Sequence, residues 1–232
     1  RRVARGGPVE PADLTPHAEL TGAPVRGEIR RLDRAASRDS ARRELDLPAD
    51  RFVVGVMCGS LGAAVVNDVV AAAVALLADR NDLAVHHVVG ERFLDRAAPH
   101  RDGKQGILYR VVGYEHRMPQ VYAAVDLMVT RAGAGTIAEL ATVGVPAIVV
   151  PWPDAAENHQ LDNARVLSDR GAALLVEQHD LTPERLAEEI TALIGDRARL
   201  DGIAAAAREA GAHHRSDRLV RLVERVAAGE SA

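Results

Sequence analysis

The run Phe52-Val53-Val54-Gly55-Val56-Met57-Cys58 is apolar throughout and of strand length. A strand with one wetted face alternates apolar and polar residues, so an unbroken run predicts a strand covered on both faces, as in a parallel sheet. It breaks into Gly59-Ser60-Leu61-Gly62-Ala63 and then into an alanine- and valine-rich helix to about Leu77. The alternation continues down the chain. Further strands are predicted at 84–89, 107–112, 127–129, 146–151 and 172–176, with helices at 118–124 and 158–170 and after the opening of 131–139. Thr182-Pro183-Glu184 reads as N-cap, N1 proline and acidic first turn, followed by two or three more helices. Strands alternating with helices predict an α/β, doubly wound parallel sheet with right-handed crossovers. Ligands of such sheets sit beyond the carboxyl ends of the strands. The loops after the first, fourth and fifth strands (59–63, 131–135 and 152–159) all open on that edge.

The stretch Arg131-Ala132-Gly133-Ala134-Gly135-Thr136-Ile137-Ala138-Glu139 carries the most specific chemistry. Gly133 and Gly135 let the backbone approach a ligand, and the helix start offers N–H groups to an anion. Glu139 would repel a phosphate at contact distance, so it suits a different part of the ligand, such as the hydroxyls of a ribose. Together they describe a nucleotide site. The same residues also spell a capping box, Thr136-x-x-Glu139, and both readings stand at this point. The Gly59–Gly62 turn is likewise either a tight strand-to-helix connection or an anion site. It is neither the full dinucleotide fingerprint nor a P-loop, which argues against a nicotinamide dehydrogenase.

The loop Pro151-Trp152-Pro153-Asp154-Ala155-Ala156-Glu157-Asn158-His159-Gln160 is rich in polar groups. His159 and Gln160 are candidates to bond sugar hydroxyls, and Asn158 is expected to cap the next helix. Arg26 and Arg131 are the cations best placed to meet a diphosphate or base, although each is also a candidate structural ion-pair partner, Arg131 the more so. Arg42, Arg43 and Glu44 are expected on a solvated helix. His86 and His87 share a predicted strand and so point to opposite faces, and no histidine spacing resembles a zinc site.

Composition narrows the function classes. Of 232 residues, 47% are hydrophobic and 27% charged, enough for a proper core in a soluble globular protein. Aromatics at 3% and a net charge of -4 argue against nucleic acid as a partner. The single cysteine, Cys58, cannot form an internal disulfide, which points to a reducing cytoplasm. No apolar run approaches the ~18 residues of a membrane span, and peripheral attachment to a membrane face stays open. Residues 1–25 read as a linker or N-terminal extension ahead of a domain at 26–232. An arginine start without Met suggests a fragment or a processed chain.

Taken together, Arg131-Ala-Gly-Ala-Gly-Thr-Ile-Ala-Glu139-Leu, Gly144-Val-Pro146-Ala-Ile-Val-Val-Pro151 and Glu157-Asn-His-Gln160-Leu-Asp-Asn163-Ala164 closely resemble the MurG-type transferases of glycosyltransferase family 28. Gly22-Ala-Pro-Val-Arg26 and Gly59-Ser-Leu-Gly-Ala63 match motifs of the same family in the same order. The similarity covers residues 20–200. It implies one Rossmann-like half of a GT-B fold, the donor-binding C-terminal half, without the family's N-terminal acceptor domain. It implies a metal-independent inverting enzyme, with no cofactor, that moves N-acetylglucosamine from UDP-N-acetylglucosamine to lipid-linked muramoyl-pentapeptide in peptidoglycan synthesis. By that resemblance Glu139 holds the ribose, and Ser60, with Gly62 and the backbone of Gly133, Gly135 and Thr136, meets the diphosphate. Arg26 and the backbone near Tyr114 and Glu115 meet the uracil, while His159 and Gln160 contact the sugar. The chain departs from the family at Ala23 (usually Asn), Cys58 (often Gly) and His159 (Gln in some relatives). The catalytic base would lie in the acceptor half, so this chain alone is expected to be inactive. Two alternatives accompany this reading: a donor subunit working with a separate acceptor chain, and a non-catalytic nucleotide-binding module.

Overall fold

The computed structural model describes residues 19–59 and 63–229. Helices α1 (Gly27–Arg30) and α2 (Arg34–Glu44) lead into strand β1 (Phe52–Met57), followed by α3 (Ala64–Leu76), β2 (Leu83–Val88), β3 (Arg101–Asp102) and β4 (Leu108–Val112). Then come α4 (Met118–Ala124), β5 (Leu127–Thr130), α5 (Ala134–Val143), β6 (Ala147–Val149), α6 (His159–Ser168) and β7 (Leu174–Leu175). Helices α7 (Pro183–Gly195), α8 (Arg197–Ala210) and α9 (Arg218–Ala227) complete the described chain.

The seven strands form one sheet in the order β3-β4-β2-β1-β5-β6-β7. All neighbours are parallel except β3, which runs antiparallel to β4. Without β3, the strands lie in the order in which a doubly wound nucleotide-binding sheet arranges its six, with the reversal between β1 and β5. The crevice of such a fold opens at that reversal. It is flanked here by the carboxyl ends of β1 and β5, the strands that run into the two glycine stretches singled out in the sequence. β3 is an addition to the predicted set, because two exposed charged residues give no apolar run to read.

The unbroken apolar runs serve two cores. Val53 packs on one face of β1 with Ile29, Leu45, Tyr122, Met128 and Leu140, while Val54 and Val56 face Val66, Val70, Val85 and Leu193 on the other. Each fully buried side chain of this kind contributes ~1.5–3 kcal/mol. Thr182 caps α7 as its sequence predicts, accepting a bond from the Arg185 N–H at 3.2 Å, with Pro183 in the first turn. α5 ends on Gly144, whose φ of 77° turns the chain left-handed into β6.

The expectation of a solvated arginine face on α2 is wrong for Arg42, which is 1% exposed. Its guanidinium donates to Ala124 O at 2.9 Å, to Pro48 O, Ala49 O and Arg51 O at 3.0, 2.8 and 2.9 Å, and to Asp126 Oδ2 at 2.8 Å. Asp126 is buried between α4 and β5 and also accepts from Arg38 at 2.6 Å and from the Val53 N–H at 2.8 Å. Arg34 donates to Tyr122 O at 3.2 Å and to Val125 O. Arg34, Arg38 and Arg42 are spaced by four, so they share one face of α2. That face caps the carbonyl end of α4, where a cation is favoured.

His86 and His87 do point to opposite faces of β2. His87 Nε2 lies 3.0 Å from Asn67 Oδ1 and Nδ1 lies 2.9 Å from Tyr109 Oη. The Asn67 amide donates to Val89 O at 2.9 Å, so Oδ1 is the acceptor and His87 Nε2 the donor. Burial, then the neighbouring His86, lowers the His87 pKa from 6.5 to about 3. The unfolded chain therefore takes up a proton near pH 6.5 that the folded chain refuses until about pH 3. Stability is full above that window and falls as pH drops through it. His87→Gln is expected to flatten the fall by up to ~1.4 kcal/mol per pH unit, measured by urea unfolding at several pH values across the window.

Candidate functional site

The site is built from the carboxyl ends of β1 and β5. β1 delivers the chain to Gly59, whose φ of 81° is open to glycine without strain. Ser60 and Gly62, expected at the diphosphate, lie outside the described residues. β5 delivers the chain through Arg131 and Ala132 to Gly133, the N-cap of α5, and among the described residues no side chain caps that helix. The first-turn N–H groups, those of Gly135 and Thr136 included, have no intrahelical acceptor and face outward with the positive end of the helix dipole. Among the described residues, a Cβ built on Gly135 meets nothing within 4 Å, so none of them obstructs its backbone.

This register rules out the capping box of Thr136-x-x-Glu139. α5 begins at Ala134, so Thr136 is the third helical residue and not the cap. The Glu139 carboxylate bonds elsewhere. Tyr122 Oη donates to its Oε2 at 2.8 Å, and Arg26 Nε lies 3.4 Å from its Oε1. With 19% of its side chain exposed, Glu139 is mostly buried and reaches the rim where it meets the half-exposed Arg26. Arg26, at the start of α1, is 48% exposed and also lies 3.3 Å from Glu28.

Gln160 joins two loops of the rim. Its Oε1 accepts from the Ala132 N–H at 3.2 Å and from the Trp152 N–H at 3.1 Å. Asn163, one turn on, donates to Ala132 O at 3.0 Å, so α6 fixes both ends of that residue. His159 is exposed, and its Nδ1 lies 2.7 Å from Ala156 O within its own loop. Asn158 stands at the N-cap of α6 but makes no side-chain cap bond, contrary to expectation, because its backbone is left-handed at φ 54°. Glu157 before it is left-handed too, at φ 53°. Successive left-handed residues other than glycine are uncommon and gather at ligand-binding loops.

Arg131 is a structural cation, donating to Val150 O and Pro151 O at 3.2 and 3.1 Å and to Gln178 Oε1. It is thereby removed from the candidates for a diphosphate. Beyond β4, Tyr114 is exposed and meets the His116 ring edge-on at 4.7 Å between centroids. Glu115 turns inward. Its carboxylate accepts from Arg117 N, Nε and Nη2 at 3.0, 2.9 and 3.2 Å and lies 3.4 Å from His86 Nε2. The His86 imidazole, and after it Arg117, hold this carboxyl well below the usual carboxylate range. Only the main chain of Glu115 is left for a ligand. The geometry thus joins Arg26 to Glu139 and Gln160 to the loop before α5, while Tyr114 and Glu115 follow β4. Tyr122 is the partner that sequence reading missed.

Residues 53–219 match the family model described as the glycosyltransferase family 28 C-terminal domain. The chain belongs to glycosyltransferase family 28. Among its relatives, the UDP-N-acetylglucosamine--N-acetylmuramyl-(pentapeptide) pyrophosphoryl-undecaprenol N-acetylglucosamine transferase of Burkholderia ambifaria is 39% identical over 215 residues, covering 91% of this chain and 56% of the relative. The enzyme of the same name from Clavibacter michiganensis subsp. michiganensis is 39% identical over 212 residues, covering 90% and 55%. The crystal structure of Acinetobacter baumannii MurG superposes with a TM-score of 0.66 at 26% identity, covering 90% of this chain and 57% of that one. The chain therefore spans a little over half the length of the family 28 relatives it matches. The fold is the Rossmann-like α/β unit that GT-B glycosyltransferases contain.

Proposed function

We propose that residues 26–232 form the donor-binding half of a MurG-type inverting transferase, with residues 1–25 as the linker or extension leading into it. The donor is UDP-N-acetylglucosamine and the acceptor a lipid-linked muramoyl-pentapeptide. One observation carries the reading: an uncapped helix start and a rim-facing carboxylate stand on the same helix, α5, at the reversal of a doubly wound sheet. The amides of Gly133, Gly135 and Thr136, with Ser60 and Gly62, meet the diphosphate. Glu139 takes the ribose hydroxyls. Arg26 and the main chain near Tyr114 and Glu115 meet the uracil, and His159 and Gln160 meet the sugar.

In the reaction an acceptor hydroxyl oxygen bonds to the anomeric carbon as the bond from that carbon to the diphosphate oxygen breaks. UDP leaves with the electron pair, and the hydroxyl proton passes to a base in the acceptor half, supplied by the same polypeptide or by a second chain. Amides aimed at the leaving diphosphate stabilise its growing charge without reorganising. The helix end adds the equivalent of roughly half a positive charge. A lipid-linked acceptor would bring the chain to the cytoplasmic face of the membrane as a peripheral protein. Among the described residues, no helix is long and apolar enough to cross a membrane.

Calorimetry with UDP and UDP-N-acetylglucosamine tests the reading. Saturable binding below millimolar concentration is expected, and a folded chain that binds neither sinks it. Transfer should appear when the chain is joined to or mixed with an acceptor domain. Persistent binding without transfer would instead favour a nucleotide-binding module. Gly135→Ala offers a finer check. None of the described residues obstructs the added methyl, and alanine favours a helix by up to ~1 kcal/mol over glycine, so the melting temperature should hold or rise. UDP affinity should nonetheless drop by roughly tenfold, as the methyl stands where the diphosphate approaches.

A further inference from the structure

Glu139 has two partners of different kinds. Arg26 is half-exposed and 3.4 Å away, the sort of surface ion pair that reorganises readily. Tyr122 is 0% exposed and donates at 2.8 Å from inside the core. Its ring packs between α4 and the sheet, and its main-chain carbonyl is held by Arg34 at 3.2 Å. The hydroxyl cannot follow the carboxylate, so the carboxylate must follow the hydroxyl.

We propose that Tyr122 is a positioning residue for the donor: its buried hydroxyl fixes the plane in which Glu139 presents its carboxylate to a vicinal diol. This rests on the donor reading above. The last torsion of a glutamate is broad, with no strong staggered preference, so an unrestrained carboxylate samples many planes. A diol that bonds both carboxylate oxygens selects one of them, and an unordered side chain loses that freedom on binding. A donor rooted in the core settles Oε2 in advance and leaves the carboxylate's remaining lone pairs turned to the rim. Burial, and then the Glu139 charge, drives the Tyr122 pKa well above its ordinary value. The phenol therefore stays protonated and remains the donor.

The experiment is titration of the 232-residue chain with UDP and with 2′-deoxy-UDP, for the wild type, Glu139→Gln and Tyr122→Phe, with melting temperatures recorded. The wild type is expected to prefer UDP by roughly tenfold or more, since a lost hydrogen bond to a charged group costs about that factor. Glu139→Gln should reduce the preference to about twofold. Tyr122→Phe should stay folded and reduce it to about threefold, while 2′-deoxy-UDP affinity changes by less than about twofold. A merely structural tyrosine would weaken both ligands alike and leave the ratio unchanged. If Glu139→Gln collapses the ratio and Tyr122→Phe does not, the positioning role is overturned and the donor reading survives. If the wild type binds neither ligand, the donor reading falls and takes this inference with it. If it binds both equally, the 2′-hydroxyl goes unread and this inference falls while the donor reading survives. Should Tyr122→Phe fail to fold, Tyr122→Met fills much of the same volume without a donor and must give the same loss of ratio. Failure of both to fold overturns the proposal, because the side chain would then be serving the core alone.

Discussion

Asp126→Ala is expected to destabilise the fold by about 3–5 kcal/mol, the usual consequence of stranding a buried charge. Arg42 is 1% exposed, and its guanidinium would lose the carboxylate it pairs with among the described residues. Arg38 would lose the same partner, and the Val53 N–H at the start of β1 would lose its side-chain acceptor. Native domains have only ~5–15 kcal/mol in hand, so a large part of the total goes with one side chain. For a domain of this size the melting temperature should fall by about 10 °C or more. The paired change Asp126→Leu with Arg42→Met should recover part of the loss, since Arg42 is then not stranded, while Arg34 and Arg38 still lose the carboxylate that offsets their charge. Urea unfolding of the single and paired variants measures this. A loss under ~1 kcal/mol for Asp126→Ala would show that water reaches Arg42, and that the cluster is ordinary surface electrostatics.

Glu139→Gln is the companion result on the ligand side. The amide oxygen can still accept from Tyr122, so the melting temperature should stay within about 2 °C of wild type. UDP affinity should fall by roughly 30-fold, because the ribose loses a charged acceptor and charge-assisted bonds are about twice as strong as neutral ones. Glu139→Ala should cost affinity at least as much and stability more, by ~1–3 kcal/mol, because the buried Tyr122 hydroxyl is left without its acceptor. Calorimetry and thermal melts on the same samples separate the two effects. A variant that melts early yet binds UDP normally would show that Glu139 serves the fold alone.

These two carboxylates differ in how much of their role the chain displays. The parallel strands were legible because a strand covered on both faces must be apolar at every position, and Phe52–Met57 is. β3 was not, since Arg101 and Asp102 follow no such rule. Glu139 stood out because a carboxylate near a glycine-rich helix start is chemically odd. Its alternative as a capping box failed on a shift of the helix start that no local pattern shows: Gly133, with no side chain to signal a cap, takes that position. Arg42 was misread because charged residues are mostly exposed. Its spacing from Arg34 and Arg38 was visible, but the acid that buries it lies 84 residues away in the chain. Tyr122 sits in an apolar stretch and was indistinguishable from core, which it also is. Tertiary partners made both assignments, and a single chain does not display them.

Gln160 carries a further implication. Two main-chain N–H groups, from Ala132 and Trp152, point at one atom of its carboxamide, and only an oxygen can satisfy both. The side chain is therefore barred from turning over, and the end it presents away from the bridge is always the NH2. A hexose hydroxyl that meets Gln160 must do so through its lone pairs and send its own hydrogen elsewhere. A sugar bound there would thus be sorted by polarity as well as by reach, against an amide whose orientation the two loops fix.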